Sequence, residues 1–149
     1  MARTDERPSL RLSRRYEAAP EKVWRAWTDP QALKRWFGPD EDGIVLLAEI
    51  DLRVGGRYHL RFRARPEGSE VHDVSGVYRE VEPHRRLVFT WAWKSTPERE
   101  SLVTLQFEAA GGGTGMLFLQ EQFFDPAARD GHQRGWTGAL AKLDRLLAA

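Results

Sequence analysis

The fold is decided by the stretch over residues 16–37, which reads YEAAPEKVWRAWTDPQALKRWF. Pro20 is suited to the first turn of a helix, because its missing N–H would have no partner there. Asp29 followed by Pro30 restarts the helical pattern as an N-cap and a first helical residue. The apolar face of the second segment continues to Phe37. The sequence therefore predicts a first strand that runs into two short, aromatic-rich helices.

The period of the apolar residues becomes that of strands after Gly38, which can end the second helix in the left-handed conformation. It stays strand-like to about Phe124. Short turns separate the apolar runs in this region, and short turns favour antiparallel neighbours. One connection, residues 66–69, has the composition of a hairpin loop. We therefore expect six further strands in an antiparallel sheet.

The chain ends in a long helical pattern that begins after Pro126. Gly131, Gly135 and Gly138 lie in it, and three glycines inside a helix cost about 3 kcal/mol relative to alanine. Burial of one Trp and three Leu contributes roughly 1.5–3 kcal/mol for each side chain. The helix is therefore expected to be stable when it docks on the sheet. Its apolar stripe consists of Trp136, Leu140, Leu143 and Leu147.

Composition excludes several classes of function. The 149 residues are 41% hydrophobic and 30% charged, with a formal net charge of +1. This charge gives no global field that would attract nucleic acid or an anionic membrane. The sequence has neither a run of about 18 apolar residues nor the apolar core of a signal peptide, so we expect a cytoplasmic protein. Because there is no cysteine, disulfides, thiolate metal sites and a cysteine nucleophile are excluded.

The predicted order is one strand, two short helices, six strands and a long C-terminal helix. A curved antiparallel sheet of about seven strands can bend around that helix and bury one face on it, which is an α+β arrangement. The diagnostic segments in chain order are RRYEAAPEKVWRAWTDPQALKRWFGP, DLRVGGRY, GVYREVEPHRRLVFTWAW, GGGTGMLFLQEQF and GHQRGWTGALAKLDRLL. With them the chain resembles the START-like, Bet v 1-like helix-grip (SRPBCC) superfamily, in its bacterial branch similar to the C-terminal domain of the Hsp90 ATPase activator. We expect a flexible tail at residues 1–7 and a single helix-grip domain over residues 8–149.

The resemblance implies a deep cavity between the concave face of the sheet and the long helix. Pockets for small molecules are lined mostly by apolar and aromatic groups, and the inward strand faces and the helix supply such groups. The alternative is that these side chains fill a solid core. The candidate ligand-binding residues are Trp36, Phe37, Tyr58, Phe62, Trp91, Trp93, Phe107, Met116, Phe118, Gln120, His132, Trp136 and Leu140.

Polar residues interrupt the predicted inward faces. Gln120 and Gln122 continue the face of the last strand, and a buried amide needs a partner in the protein, in water or in a ligand. Relatives often carry a histidine at the position of Gln120, so histidine-based chemistry shared with them is in doubt. Arg14 is placed on the inward face of the first strand, where it needs a carboxylate. Glu80 and Glu121 are the candidates, and an anionic ligand is the alternative.

His132 is the best histidine for proton transfer, because it falls on the side of the last helix that faces the sheet. The competing interpretation is a partly buried histidine with its hydrogen bonds satisfied. His59, His72 and His84 have no partner at the spacing of a metal site. Neither a catalytic residue, a metal nor a cofactor is predicted. The motifs of serine hydrolases, phosphate-binding loops and dinucleotide-binding folds are missing.

Three functions remain open. The favoured one is non-catalytic binding of a hydrophobic or amphipathic small molecule in the cavity. The second is an enzyme of the cyclase, dehydratase or hydrolase type, which needs Gln120, Arg14 or His132 to converge on one open volume. The third is a chaperone cofactor or protein-interaction domain, which would show an exposed apolar patch. A chaperone or a second copy of the chain is thus the candidate protein partner.

Overall fold

The described residues form a seven-stranded antiparallel sheet and three helices, in the predicted order. The computed structural model describes residues 7–65, 67 and 70–148. Residues 1–6 of the predicted tail, and Pro66, Gly68 and Ser69 of the predicted hairpin loop, lie outside this range. The elements are β1 (Leu10–Tyr16), α1 (Pro20–Thr28), α2 (Pro30–Leu33), β2 (Ile44–Ile50), β3 (Arg57–Arg63), β4 (Val71–Glu82), β5 (Arg86–Trp93), β6 (Ser101–Ala110), β7 (Gly113–Glu121) and α3 (Pro126–Ala148).

The strand order in the sheet is β1-β7-β6-β5-β4-β3-β2, and every neighbouring pair is antiparallel. Only β1 and β7 pair across a long connection, because the first strand returns to the edge beside the last one. The curved sheet and the long C-terminal helix confirm the predicted α+β helix-grip architecture.

The two short helices begin as predicted. Pro20 occupies the first turn of α1, and the Asp29 side chain caps α2 by accepting a hydrogen bond from the Gln31 N–H at 2.9 Å. α2 ends at Leu33, and the chain continues in a tight turn instead of the predicted longer helix. Gly38 has the expected left-handed φ of 103°. This turn directs the chain from α2 towards β2 and brings Pro39 against α3.

One face of the sheet is buried against α3 and the two short helices. In α3 the buried side follows the predicted stripe at Trp136, Leu140, Leu143 and Leu147, with Ala139 beside it. Alternate strand residues form the other half of the core, as the strand period predicts. They include Tyr58, Leu60, Phe62, Val74, Tyr78, Phe89, Trp91, Val103, Leu105, Phe107, Met116 and Phe118.

Two predictions for polar residues are wrong, namely the inward position of Gln122 on the last strand and the ion pair of Arg14. β7 ends at Glu121, and Gln122 has a φ of 70°, because the chain turns there towards α3. Arg14 is half-buried and donates to the carbonyl of Ser13, so it forms no ion pair with either predicted carboxylate. Register explains this result. Arg14 pairs with Met116, which places it far along β7 from Glu121, and Glu80 binds Arg86 on the neighbouring strand.

Candidate functional site

A cavity of about 290 Å³ lies between the first half of α3, the ends of β3 and β5, and the turn after α2. We refer to it as the α3 cavity. Two of its lining residues, Ala127 and Gly131, are exposed and mark its opening. The lining consists of Phe37, Gly38, Pro39, Phe62, Trp91, Trp93, Ala127, Ala128, Gly131, His132, Gly135, Trp136 and Ala139.

Besides His132 and Trp136, α3 contributes only small residues to the lining of the α3 cavity. Ala127, Ala128, Gly131, Gly135 and Ala139 all line it, and none has a side chain larger than a methyl group. Space therefore remains between α3 and the sheet where a larger side chain would have filled the core. This explains two of the glycines that the sequence places inside the helix at a cost in helix stability.

Aromatic rings from β3, β5, α3 and the turn after α2 form one wall of the α3 cavity. The ring centroids of Phe37 and Phe62 are 5.2 Å apart, with their planes at 86°, and those of Trp91 and Trp136 are 5.1 Å apart. Trp91 and Trp93 meet edge to face at 5.5 Å. Rings in such contacts stabilise one another beyond their buried area. These contacts hold the rings of the wall in place relative to one another.

His132 is the polar side chain beside this wall, and both of its ring nitrogens form hydrogen bonds. Its Nδ1 lies 2.7 Å from the carbonyl oxygen of Ala128, which can only accept, so Nδ1 carries the proton. Its Nε2 accepts from the indole N–H groups of Trp93, at 3.0 Å, and Trp91, at 3.3 Å. Burial lowers the pKa of His132, against the opposing effect of the hydrogen bond to Ala128. The ring is therefore held neutral, in the tautomer that the two tryptophans need.

Gln120 is fully buried and has protein partners for its amide. Its Oε1 accepts from the Trp136 indole N–H, and its Nε2 donates to Ser101 Oγ, both at 2.8 Å. Ser101 in turn donates to the carbonyl oxygen of Trp91 at 3.4 Å. The amide thus fixes the Trp136 ring of the cavity wall from behind and does not itself line the cavity.

Six of the thirteen predicted ligand-binding residues line the α3 cavity; they are Phe37, Phe62, Trp91, Trp93, His132 and Trp136. Tyr58 borders a separate void of about 20 Å³ deeper in the core. The side chains of Phe37, Trp91 and Trp136 line both spaces and separate this void from the α3 cavity. The other six are buried away from the cavity lining, and they are Trp36, Phe107, Met116, Phe118, Gln120 and Leu140.

The small lining residues and the turn at Gly38 and Pro39 were missed as site residues. The turn is tied to the second half of α3, where Lys142 Nζ donates to the Asp40 carbonyl oxygen at 2.8 Å and Arg145 pairs with Glu41. The sequence signal for this face was the presence of glycines inside α3, of which Gly131 and Gly135 line the cavity.

A cluster of three polar side chains, His59, Arg61 and Asp73, lies on the opposite face of the sheet and resembles a catalytic group in its composition. Asp73 accepts from Arg61 Nε at 2.9 Å and contacts His59 Nε2 at 2.7 Å. Desolvation raises the pKa of Asp73, but the hydrogen bonds and charges of these two partners outweigh it and lower the pKa. All three side chains are thereby committed to one another. Within the described ranges, no group of three or more His, Asp and Glu residues could hold a metal ion.

Apolar side chains on the surface are the feature expected of a protein-interaction domain. Leu46, Leu52 and Val54 are exposed in β2 and in the connection that follows it, and Val71 and Phe124 are exposed elsewhere.

In the part of the chain that the structure describes, no helix is long and apolar enough to span a membrane.

Comparison with known proteins places this geometry in one family. A family model described as "Activator of Hsp90 ATPase homolog 1-like protein" matches residues 17–148. A crystal structure of a protein from Chromobacterium violaceum is similar with a TM-score of 0.84 and 30% identity, over 95% of this chain and 99% of that one. The AHSA1 protein from Silicibacter pomeroyi is similar with a TM-score of 0.81 and 28% identity, over 95% and 98% of the two chains.

The solution structure of the AHSA1-like protein from Aeromonas hydrophila is a further relative, with a TM-score of 0.75 and 26% identity, over 93% of this chain and 90% of that one. No curated protein gives a significant sequence match.

Proposed function

The chain belongs to the Activator of Hsp90 ATPase homolog 1-like family, and from this premise we propose that it binds a hydrophobic or amphipathic small molecule in the α3 cavity. The observation that carries the proposal is the cavity itself, which is lined by aromatic rings and by alanine and glycine residues of α3. An engineered apolar cavity of about 150 Å³ holds benzene. A volume of about 290 Å³ therefore suits a molecule about twice that size.

Binding without catalysis is the version that we favour. The alternative enzyme needs Gln120, Arg14 or His132 to converge on one open volume. Gln120 is engaged by Trp136 and Ser101 behind the wall, and Arg14 binds a carbonyl in β1. Only His132 borders the cavity, and both of its nitrogens have partners. These contacts support a ligand-binding site more than a site of acid–base catalysis.

The proposal is tested by filling the cavity at its opening. Gly131 lies in the lining, and a Cβ there would have only Arg134 Nη2 within 4 Å, at 3.8 Å. Gly131→Leu is expected to occupy the opening and abolish binding, whereas Gly131→Ala adds one methyl group and is the matched control. Both variants and the wild type are incubated with cell extract and examined by native mass spectrometry. A small molecule retained by the wild type and Gly131→Ala, and absent from Gly131→Leu, is the expected result. Retention of the same molecule by all three would contradict the proposal.

A second candidate function is suggested by the family description, which names an activator of the Hsp90 ATPase. The exposed side chains of Leu46, Leu52 and Val54 would be the surface for such a contact. The cognate chaperone's ATPase rate, measured with and without the protein, tests this role. An unchanged rate at saturating protein would remove it.

A further inference from the structure

We propose that the molecule bound in the α3 cavity is uncharged and carries a hydrogen-bond acceptor, which receives the indole N–H of Trp91. This inference rests on the proposed function, because it concerns the ligand of the same cavity. It starts from a mismatch in the cavity wall, where two indole N–H groups share one nitrogen of His132.

The mismatch follows from counting donors and lone pairs. With the proton on Nδ1, the neutral ring of His132 offers a single lone pair, on Nε2. Trp91 and Trp93 can only donate through their indole nitrogens. Trp93 has the shorter bond, at 3.0 Å, and the bond of Trp91 is longer, at 3.3 Å. Because both donors share this one lone pair, Trp91 is the less completely satisfied of the two.

An incompletely satisfied donor at this position favours a ligand acceptor. Trp91 is only 4% exposed, so solvent cannot freely complete its hydrogen bonding, and a buried donor without a full partner is unfavourable. The side chain lines the α3 cavity. A carbonyl or ether oxygen on a ligand could take the Trp91 N–H, and His132 would then serve Trp93 alone. Every donor in this part of the wall would have its own acceptor.

The charge of the ligand is limited by the same wall. None of the lining side chains is Asp, Glu, Lys or Arg. A carboxylate or ammonium group inside the cavity would lose its hydration without gaining a charged partner, which is strongly unfavourable. The class that fits is therefore an apolar ketone, ester, lactone or ether of a size suited to about 290 Å³.

Three probes that share a cyclohexyl ring separate these requirements. They are ethylcyclohexane, acetylcyclohexane and cyclohexanecarboxylate, which present a hydrocarbon, a ketone and a carboxylate. Binding is measured through tryptophan fluorescence, because three tryptophans line the cavity. We expect the hydrocarbon and the ketone to bind and the carboxylate to bind much more weakly. The informative quantity is the ratio of the Kd of the hydrocarbon to that of the ketone, since differences in the ring cancel.

The Trp91→Phe variant keeps a ring in the wall and removes the N–H. The ratio is expected to fall by about 2- to 13-fold, the range of one net hydrogen bond. The His132→Leu variant releases both indole N–H groups, so the ratio is expected to rise. In wild-type protein, the indole proton of Trp91 should shift in NMR spectra with acetylcyclohexane and not with ethylcyclohexane, a readout that needs no variant to fold.

The outcomes distinguish the inference from the proposed function. Binding of both uncharged probes with the same ratio in wild type and Trp91→Phe, or equal NMR shifts with both, would overturn the inference and leave a cavity that binds apolar molecules. Tight binding of the carboxylate would also overturn it. Failure of all three probes to bind would overturn the proposed function and the inference together.

Discussion

Gly138 of α3 lies directly against Pro39 of the turn after α2, so that a Cβ at Gly138 would be 2.3 Å from the Pro39 carbonyl oxygen. One turn earlier, a Cβ at Gly135 would meet only Pro39 Cβ, at an ordinary 3.6 Å. The third glycine of α3 therefore serves a close approach between helix and turn, in contrast to the two glycines that line the cavity. Through this contact, the helix holds one edge of the cavity in place.

The same substitution is expected to have opposite effects at these two glycines. Gly138→Ala places a methyl group against backbone, and such overpacking should lower the free energy of unfolding by about 1–3 kcal/mol. Gly135→Ala should raise it by about 0.5–1 kcal/mol, because alanine loses less conformational entropy in a helix. Urea unfolding of both variants measures the difference. Equal changes at the two sites would show that the turn moves freely away from α3.

Gln120 is expected to be required for stability, because two buried groups depend on it. Replacing it with Leu would leave the Trp136 N–H and the Ser101 hydroxyl without their present partner. Loss of a partner for buried polar groups should lower the free energy of unfolding by about 1–3 kcal/mol. Gln106→Leu, at an exposed position on β6, is the control and should change it by less than about 0.5 kcal/mol. A Gln120→Leu variant as stable as this control would contradict the assigned network.

The fold was predictable because it depends on periodicity, whereas much of the site was not. The inward alternation of β3 and the stripe of α3 are visible along the chain, and the structure confirms both. Large aromatic residues such as Trp91 were correctly placed facing the helix, and the structure sets them in the cavity wall. The space in front of them is made by absent side chains, at positions such as Gly131 and Gly135, which no apolar pattern marks.

The polar contacts were less predictable because they depend on register between distant strands. Gln120 was expected to have a partner, but Ser101 and Trp136 lie 19 and 16 residues away in the chain. The pairing of Arg14 with Met116, which removed its predicted ion pair, is likewise a property of the β1–β7 register. A single strand pattern gives the face on which a residue lies and not the residue opposite it.

Gly76 is expected to be irreplaceable in β4. A Cβ there would be 1.9 Å from the Thr90 carbonyl oxygen, which also accepts the hydroxyl proton of Tyr58. Gly76→Ala should therefore lower the free energy of unfolding by about 1–3 kcal/mol or more, as Thr90 is pushed from Tyr58. The control is Gly115→Ala in β7, where the nearest atom would lie at an ordinary 3.8 Å. Thermal unfolding should separate the two variants, and equal midpoints would refute the close approach.

The stability of the fold should depend on pH through His132. Burial lowers the pKa of His132 below its usual 6.5, so the unfolded chain binds the proton more readily than the folded one. The contribution of the neutral ring is fully present above pH 6.5 and decreases as the pH falls from about 6.5 to the lowered folded pKa. Protonation would also place an N–H on Nε2, opposite the indole N–H groups of Trp91 and Trp93.

His132→Gln tests this dependence, because an amide oxygen can still accept from the tryptophans and does not titrate in this range. The free energy of unfolding in urea is measured at pH 7.5 and at pH values down to about 5 for both proteins. Asp73, whose pKa is lowered from 3.8, loses its stabilising contribution only at more acidic pH and does not interfere. We expect the wild type to lose more stability than His132→Gln over this interval. Parallel curves of the free energy of unfolding against pH for the two proteins would contradict this prediction. They would mean that His132 is protonated as readily in the folded protein as in the unfolded chain.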